Sequence, residues 1–381
     1  MKKILIFTDS FLPGYKGGGP VTSINNLVNI MKDDFEILIC TSNHDFGETQ
    51  AYKNIISDTV IPFNENQIVY LSKMSFKNIF TTIKKFDPDV LYLNSFFSIT
   101  TQIVMFLNKL VFHKKVVLAP RGELQVNALN IKKNKKLLFL RVYKFFKLYN
   151  NVTFHSTDII ETQRIKKLFR TDSVLEAENA VKVQNLDALK KAKNELKLVF
   201  ISRISRKKNL HYALSVLKSI KHDVVFDIYG PKEDLKYWKE CQNIINQLPE
   251  NVKVTYKGVL QQKDVIRTLR MYHSFFFPTV SENFGHVIVE AMQAGIVPII
   301  SNQTPWVRLE DENAGYDIGL SEKNGFIKAI EKLYLMDNEE FTQSSLGTIT
   351  YIQKKLNIKK LSLLYINFFS KITKNKTNVQ K

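Results

Sequence analysis

Ser281-Glu282-Asn283-Phe284-Gly285-His286-Val287-Ile288-Val289-Glu290-Ala291-Met292-Gln293-Ala294-Gly295 follows closely on the apolar run Phe275-Phe276-Phe277-Pro278. The pattern reads as a buried strand, a tight loop with a Phe-Gly pair, and a helix built on small residues. Two glutamates eight positions apart, Glu282 and Glu290, sit on the loop and one turn inside the helix. A helix N-terminus attracts phosphate through its unpaired N–H groups and its dipole. A carboxylate one turn inside repels phosphate and is suited instead to accepting hydrogen bonds from sugar hydroxyls. Phosphate and sugar side by side imply a nucleotide-sugar.

The surroundings of that stretch repeat its logic. Behind the chain's midpoint, strands are expected at Leu198–Ser202, Val224–Tyr229, Val252–Tyr256, Ser274–Pro278 and Val297–Ser301. Ahead of it they are expected at Lys3–Thr8, Glu36–Thr41, Val90–Asn94, Val116–Ala119 and Val152–His155. Amphipathic helices separate them; Val21, Ile24, Leu27, Val28 and Met31 fall on one helical face. Buried strands alternating with helices predict parallel sheets covered on both faces. Two such sets in 381 residues predict an α/β protein of two Rossmann-like domains. The polar, lysine-rich stretch Lys182–Lys197 reads as the boundary. In open α/β sheets ligands bind beyond the carboxyl ends of the strands, so the site is expected in a cleft between the domains.

Composition narrows the partners. A net charge of +19 implies something anionic: nucleic acid, an acidic membrane surface or phosphorylated substrates. Cys40 and Cys241 are far apart and fit a reducing compartment. The start, Met1-Lys2-Lys3-Ile4-Leu5-Ile6-Phe7-Thr8-Asp9, is too short in apolar residues for a signal peptide and reads as a first strand. No stretch reaches the roughly 18–20 uninterrupted apolar residues of a spanning helix.

Two further loops lie where a ligand would be. Asp9-Ser10-Phe11-Leu12-Pro13-Gly14-Tyr15-Lys16-Gly17-Gly18-Gly19-Pro20 joins the first strand to the first helix. It is neither a Walker loop nor a G-x-G-x-x-G fingerprint, and it reads either as a flexible turn or as backbone that a ligand approaches closely. Ile201-Ser202-Arg203-Ile204-Ser205-Arg206-Lys207-Lys208-Asn209-Leu210 places Arg203 at a strand's end and Lys208 before a helix. Such cations could hold a diphosphate and stabilise a leaving group, or could be a solvated basic loop.

Together the glutamate pair, the Gly-rich loop and the Arg203/Lys208 pair resemble the retaining glycosyltransferase family 4, whose fold is GT-B. Pro120-Arg121-Gly122-Glu123-Leu124, Phe154-His155-Ser156-Thr157 with Glu161, Tyr229-Gly230-Pro231 and Ser301-Asn302-Gln303-Thr304-Pro305-Trp306 resemble its polysaccharide and lipopolysaccharide members. The likeness is strongest from Leu198 to Leu320 and weakest over Asn43–Phe86. It implies that Glu290 holds the ribose hydroxyls and that Glu282 sits by the transferred sugar. Backbone at Phe284, Gly285 and His286 would contact sugar and phosphate. Arg203 and Lys208 would clamp the diphosphate, with Gly18 and Gly19 approaching from the other domain. Gly230, Gly258 and Val259 would border the base. In retaining members the leaving phosphate itself helps deprotonate the acceptor, which fits the lack of an obvious protein base here.

The chain departs from that pattern in two places. Pro120-Arg121-Gly122 stands where many members have a histidine, so Arg121 either faces the sugar or an acceptor phosphate, or caps a helix or loop. Glu178-Asn179-Ala180 replaces the usual Pro-Asn-Gly of the interdomain turn. Other signals read as structural. Asp87-Pro88-Asp89 mimics a metal motif but marks a helix end. His155 reads as a satisfied core or loop histidine and Trp306 as packing.

The segment Ile131–Tyr149 carries seven Lys or Arg and no acid, interleaved with Leu138, Phe139, Leu140, Phe145 and Phe146. As a helix with apolar residues on one side and cations on the other it reads as a membrane-interface element, with Lys135, Lys136, Arg141 and Lys144 toward anionic lipid. An ordinary core-facing helix with a solvated face is the alternative.

The expectation is therefore a GT-B enzyme with an acceptor-side domain at 1–182 and a donor domain at 183–355. A helix at 356–372 is expected to pack back toward the first domain, followed by a polar tail at 373–381. It transfers a hexose from a UDP- or GDP-sugar, with retention, to a lipid-linked glycan at the cytoplasmic face of the inner membrane. Neither metal nor other cofactor is expected, and no nucleic acid. The alternatives are a soluble-acceptor synthase of the glycogen or sucrose type and a non-catalytic two-lobe sugar- or nucleotide-binding protein.

Overall fold

The computed structural model describes residues 1–130, 133–181 and 186–374. Ile131 and Lys132 of the basic segment, residues 182–185 at the expected boundary and residues 375–381 of the expected tail lie outside the described residues. The chain divides into two compact units, Met1–Val181 with Ile358–Lys381, and Lys182–Asn357.

In the first unit β1 (Lys2–Phe7), β2 (Phe35–Ser42), β3 (Val60–Phe63), β4 (Asn66–Leu71), β5 (Val90–Asn94), β6 (Lys115–Ala119), β7 (Val152–Ser156) and β8 (Val174–Glu176) form one sheet among the described residues. Their order is β3-β4-β2-β1-β5-β6-β7-β8. Each pairing is parallel except the antiparallel β3–β4 hairpin at the edge. Ile4 to Phe7 and Val90 to Leu93 are buried on both faces, as a central parallel sheet requires. On one face pack α2 (Phe76–Phe86), α3 (Ile99–Leu107) with the π-helical turn Asn108–Phe112, and α5 (Lys133–Phe145), through Ile79, Ile83, Val104, Met105, Leu140 and Tyr143. α6 (Ile159–Phe169) joins them through Ile165 and Phe169. α4 (Val126–Asn130) is a short turn before α5. On the other face lies α1 (Gly19–Met31), through Val21, Ile24, Leu27, Val28 and Met31.

The second unit holds β9 (Lys197–Ile201), β10 (Val224–Tyr229), β11 (Val252–Gly258), β12 (Ser274–Phe277), β13 (Val297–Ser301) and β14 (Tyr316–Ile318), all parallel, in the order β11-β10-β9-β12-β13-β14. Helices α7 (Leu210–Leu217), α8 (Leu235–Ile245), α9 (Val265–Leu269), α10 (His286–Gln293), α11 (Lys323–Leu335) and α12 (Asn338–Lys355) connect and cover it. This is the doubly wound order, in which the chain turns back at the neighbours β9 and β12. A last helix, α13 (Ile358–Lys374), belongs to the first unit. Its Phe369 meets Phe35 and Tyr92 edge to face, and Tyr365 is fully buried.

Four details differ from the sequence reading. β3, β4, β8 and β14 were not expected: β3 and β4 lie in the polar stretch after Ser42, and β8 and β14 are only three residues long. The first sheet is mixed rather than all parallel. β9 ends at Ile201, so Arg203 stands two residues beyond the strand and not at its close. On α5 the expected separation into an apolar side and a cationic side does not hold. Leu137, Leu138, Val142 and Phe145 are exposed together with Lys135 and Arg141, and only Leu140 and Tyr143 are fully covered.

Candidate active site

Every loop singled out in the second unit leaves the carboxyl end of a strand. Arg203 and Lys208 follow β9, Gly230 follows β10, Gly258 ends β11, and Glu282 to His286 follow β12. The β9 and β12 loops are sewn together by backbone. Lys207 O accepts from Val280 N at 2.9 Å and from Thr279 Oγ1 at 3.1 Å, and Asn209 Nδ2 donates to Pro278 O at 2.8 Å. Glu282 N donates to Gln303 O at 2.9 Å, tying the loop to the end of β13.

Across this seam the Lys208 ammonium and the Glu282 carboxylate form an ion pair, with side chains only 13% and 11% exposed. Lys208 also lies over the Phe277 ring, 5.6 Å from its centre. Arg203 is exposed and pairs with Glu233 at 2.9 Å. Burial lowers the pKa of Lys207; the Glu282 carboxylate opposes that shift, and the nearby Lys208 and Arg203 cations add to it. Lys208 is thus the ion-pair partner of Glu282 with Lys207 near it, while Arg203 is engaged by Glu233.

Gly285 caps α10 with φ 75°, a left-handed backbone where a Cβ would lie 2.8 Å from Ile288 Cδ1. The first turn of α10 therefore opens at the same end of the sheet as Lys208. Phe284 is buried against Trp306 and His286, and Trp306 Nε1 donates to Phe284 O, so Trp306 packs the loop from beneath. Glu290 lies one turn further along α10, half-buried. Burial pushes its carboxyl up to about 7, and a hydrogen bond from Gln262 Nε2, in the turn before α9, works against that shift. A carboxylic acid poised near neutrality can accept from a diol as it ionises.

Gly230 is dictated by close packing. Its φ is 135°, and a Cβ would sit 1.8 Å from Ser202 O. The turn it opens is held by Gly230 N donating to Gly258 O at 2.8 Å and by Tyr256 Oη donating to Gly230 O at 2.9 Å. Gly258, at φ 89°, faces open space where a Cβ would be, and Val259 beside it is exposed. Gln262, Glu233 and Lys207 were missed by the sequence reading. Their partners are far away in the chain, and no local pattern marks them.

In the first unit the Gly-rich loop is a built structure. The Asp45 carboxylate accepts from Tyr15 N at 2.9 Å and from Lys16 N at 3.1 Å. Tyr70 Oη donates to Leu12 O at 2.6 Å, and Ser98 Oγ donates to Asp9 at 2.6 Å. Gly18, with φ 65°, caps α1, and nothing lies within 4 Å of the place a Cβ would take; Gly19 opens the helix. A ligand could approach the backbone of this loop at Gly18.

Arg121 has four contacts. Nε and Nη2 reach Asn94 Oδ1 at 3.2 and 2.9 Å, Nη2 reaches Tyr92 Oη at 3.1 Å, and Nη1 donates to Asn179 Oδ1. His155 is buried and satisfied, meeting Tyr92 Oη at 2.7 Å, Ala177 O at 3.0 Å and Tyr365 Oη at 3.1 Å. Burial, with Arg121 nearby, holds it neutral by pushing its pKa down to about 3. Glu161 is buried as an acceptor from Gly122 N at 2.6 Å and Thr157 N at 2.9 Å. Asp87 and Asp89 are engaged by Lys114 and by Lys2 with Lys3 N. On α5, Lys135 and Arg141 are exposed. Lys136 turns inward to Ala128 O and the Phe97 ring, and Lys144 lies over Phe169.

Comparison with known proteins agrees with this geometry. Residues 182–344 match the family model of the glycosyl transferases group 1. Over 87 residues the chain is 32% identical to the GDP-mannose:cellobiosyl-diphosphopolyprenol alpha-mannosyltransferase of Xanthomonas campestris, a match spanning 22% of this chain and 23% of that enzyme. The crystal structure of Anabaena HepE in complex with UDP and glucose superposes with a TM-score of 0.71 at 14% identity, covering 97% of this chain and all of that one. WaaG, a glycosyltransferase involved in lipopolysaccharide biosynthesis, gives a TM-score of 0.66 at 10% identity over 98% of this chain and 100% of its own. Sucrose-phosphate synthase from Thermosynechococcus elongatus gives 0.71 at 12% identity, with 98% of this chain and 99% of that one covered. With two Rossmann-like units of this order, the chain has the GT-B fold, and its second unit, over residues 182–344, matches the group 1 glycosyltransferases.

Proposed function

We propose that this glycosyltransferase moves a hexose from a UDP- or GDP-sugar, with retention, to a hydroxyl of a lipid-linked glycan in bacterial surface polysaccharide assembly. The observation that carries the reading is the Lys208–Glu282 pair at the β9/β12 turning point, on the loop that leads into α10, whose N-terminus lies one helical turn before Glu290. A diphosphate is the ligand whose charge can take Glu282's place at Lys208. Glu282 is then released toward the hydroxyls of the sugar.

In this reading Arg203, Lys208 and the first amides of α10 hold the diphosphate and neutralise the charge that grows on it as the glycosidic bond breaks. Backbone at Phe284, Gly285 and His286 meets phosphate and sugar, and Gly18 and Gly19 approach the donor. Glu290, held by Gln262, takes the ribose diol. The base lies by Gly230, Gly258 and Val259, where the open space at Gly258 leaves room for a ring. The leaving phosphate receives the acceptor's proton on the face it departs from, so no separate base is assigned. The positive charge comes from the protein itself, and the reaction is proposed to proceed without a metal. Arg121 is assigned to the acceptor side, and its guanidinium ties the β6 loop to Tyr92 and Asn94 of β5 and to Asn179.

The lipid-linked acceptor is supported by the Xanthomonas relative, whose name gives GDP-mannose as donor and a diphosphopolyprenol-linked disaccharide as acceptor. The UDP alternative is supported by HepE, solved with UDP and glucose. No helix among the described residues is long and apolar enough to cross a membrane. The enzyme is proposed to work as a peripheral protein at the cytoplasmic membrane face, held partly by Lys135 and Arg141. Thermal unfolding with UDP, GDP, ADP, CMP and their sugar conjugates tests the donor site, on wild type and Glu290→Ala, with and without chelator. One nucleoside diphosphate should stabilise the wild type alone, regardless of chelator. Stabilisation of Glu290→Ala to the same extent would remove the site assignment.

A further inference from the structure

The helical layer of the first unit ends in an exposed apolar ridge whose setting matches a lipid bilayer. Phe145 is 81% exposed, Leu110 59% and Phe146 55%, with Val111 and Phe106 about half exposed beside them. Side chains this large and this exposed are ordinary singly and informative when contiguous. Here they are contiguous. Lys109, on the π-helical turn after α3, reaches Phe146 O at the end of α5, joining the two segments. Phe76 at the start of α2 meets Phe106 edge to face at 6.1 Å, and Phe145 meets Phe146 at 5.3 Å.

The charge around the ridge has one sign. Residues 99–113 and 133–151 contain seven Lys or Arg and no Asp or Glu. An apolar ridge without acids, ringed by cations, suits acyl chains capped by anionic headgroups. A protein partner would be expected to offer carboxylates against those cations and a groove for the rings; a bilayer provides both properties at once. The cations also explain which side chains point outward. Lys136 and Lys144 lie over rings of their own unit, which leaves the tip of α5 to Phe145, Phe146, Lys147 and Arg141.

We infer that this ridge, formed by Phe106, Leu110 and Val111 with Phe145 and Phe146, inserts into the headgroup–acyl boundary of an anionic membrane, while Lys109, Arg141 and Lys147 bind the phosphates around it. The inference rests on the proposed membrane-face reading and gives it a mode: the apolar tip anchors the protein and the cations select the lipid.

The test uses the full chain with vesicles of phosphatidylglycerol and phosphatidylcholine in equal parts, and with phosphatidylcholine alone. Phe145→Trp adds an indole at the ridge; Trp238 and Trp306 are buried in the other unit and give a constant background. With brominated acyl chains, fluorescence from the Phe145→Trp protein should be quenched more than that of wild type on anionic vesicles. Phe145→Ser with Phe146→Ser, and separately Leu110→Ser with Val111→Ser, should each weaken partition onto anionic vesicles by about tenfold or more. All of these side chains are exposed, so the variants should unfold at the wild-type temperature and keep the wild-type response to nucleotide. That response separates a failed donor site from a failed membrane face. An unquenched indole, or serine variants that bind anionic vesicles as wild type does, would overturn the inference; retention on those vesicles by the cations alone is the second of these outcomes.

Discussion

Glu290→Gln is expected to make the protein more stable while disabling its nucleotide site, and only in one range of pH. Burial raises the Glu290 carboxyl from 4.5 in the unfolded chain to about 7 in the folded one. The folded state therefore prefers the neutral acid. Its ionisation costs nothing below pH 4.5, costs progressively more as pH rises, and reaches its full cost above about pH 7. A shift of that size corresponds to about 3 kcal/mol. Glu290 is only half-buried, and solvent screening reduces the figure to about 1–2 kcal/mol. Glutamine has the same shape and keeps an oxygen for the Gln262 amide. It should raise the melting temperature at pH 8 by about 2–8 °C for a unit of this size, and by almost nothing near pH 4.5. Melting curves of both proteins from pH 4.5 to 8, with and without a stabilising nucleoside diphosphate, measure it. Nucleotide should stabilise the wild type progressively more as pH rises toward 7, because the diol binds the ionised form, and should stabilise the glutamine variant far less. A gain in melting temperature that does not change with pH, or a loss at pH 8, would refute the argument that an ionised Glu290 strains the resting protein.

Lys208→Met leaves the Glu282 carboxylate without its cation in a largely covered place. It should cost about 1–3 kcal/mol of stability and, by removing a charge on the leaving diphosphate, lower kcat by about 10²–10³; denaturant melts and donor-consumption rates read the two effects. Gly230→Ala drives a Cβ to 1.8 Å from Ser202 O at a φ of 135°, so it should cost about 3 kcal/mol or more and be poorly rescued by nucleotide, as a urea midpoint will show. Tyr365→Phe removes the donor to Glu178 O, at 2.7 Å, and a contact with His155; about 1 kcal/mol should be lost, with nucleotide binding in the second unit unchanged by calorimetry. His155 is held neutral with its pKa near 3, so the unfolded chain takes up the proton first and stability falls as pH drops from about 6.5 toward 3. His155→Gln should flatten that part of the profile in acid titrations of the melting temperature.

The elements that were legible in the sequence are those whose pattern is local. β5, β10 and β13 have the bounds their sequences suggested, because a strand buried on both faces is largely apolar; β10 keeps the pattern around the one buried acid Asp227. The β3–β4 hairpin was invisible for the opposite reason. β3 sits at the sheet edge with Pro62 in it and Val60 exposed, so neither face imposes a pattern, and the buried run Ile68–Leu71 of β4 is only four residues long in a polar stretch. β14 is three residues held by one neighbour. The glycines were legible because backbone demands them: φ values of 75° at Gly285 and 135° at Gly230 match the turns that strand–loop–helix reading requires. Pairings were not. Glu233 with Arg203 and Gln262 with Glu290 join residues about thirty positions apart through space, and an exposed acid or amide in a loop carries no local sign of what it faces.

Arg121 shows how the two kinds of information combine. The sequence marks it as a departure, a cation where a histidine is more usual, and leaves its role open between ligand and loop. Its neighbours give the physical reason it is kept in place. The four residues that leave the first unit are each held: Ala177 O by His155, Glu178 O by Tyr365, the Asn179 side chain by Arg121, and Ala180 O by Asn26. Arg121 and His155 meet through Tyr92, and Tyr365 comes from the last helix of the chain. A buried network satisfied at every member costs little and fixes one geometry, whereas the same groups half satisfied would be strongly destabilising. The departures at Arg121 and at Glu178-Asn179-Ala180 are therefore one substitution in physical terms. Without glycine and proline to set the turn, side chains from β5, β7, α1 and α13 set it instead, and the arginine is the member that reaches from the β6 loop to close the set.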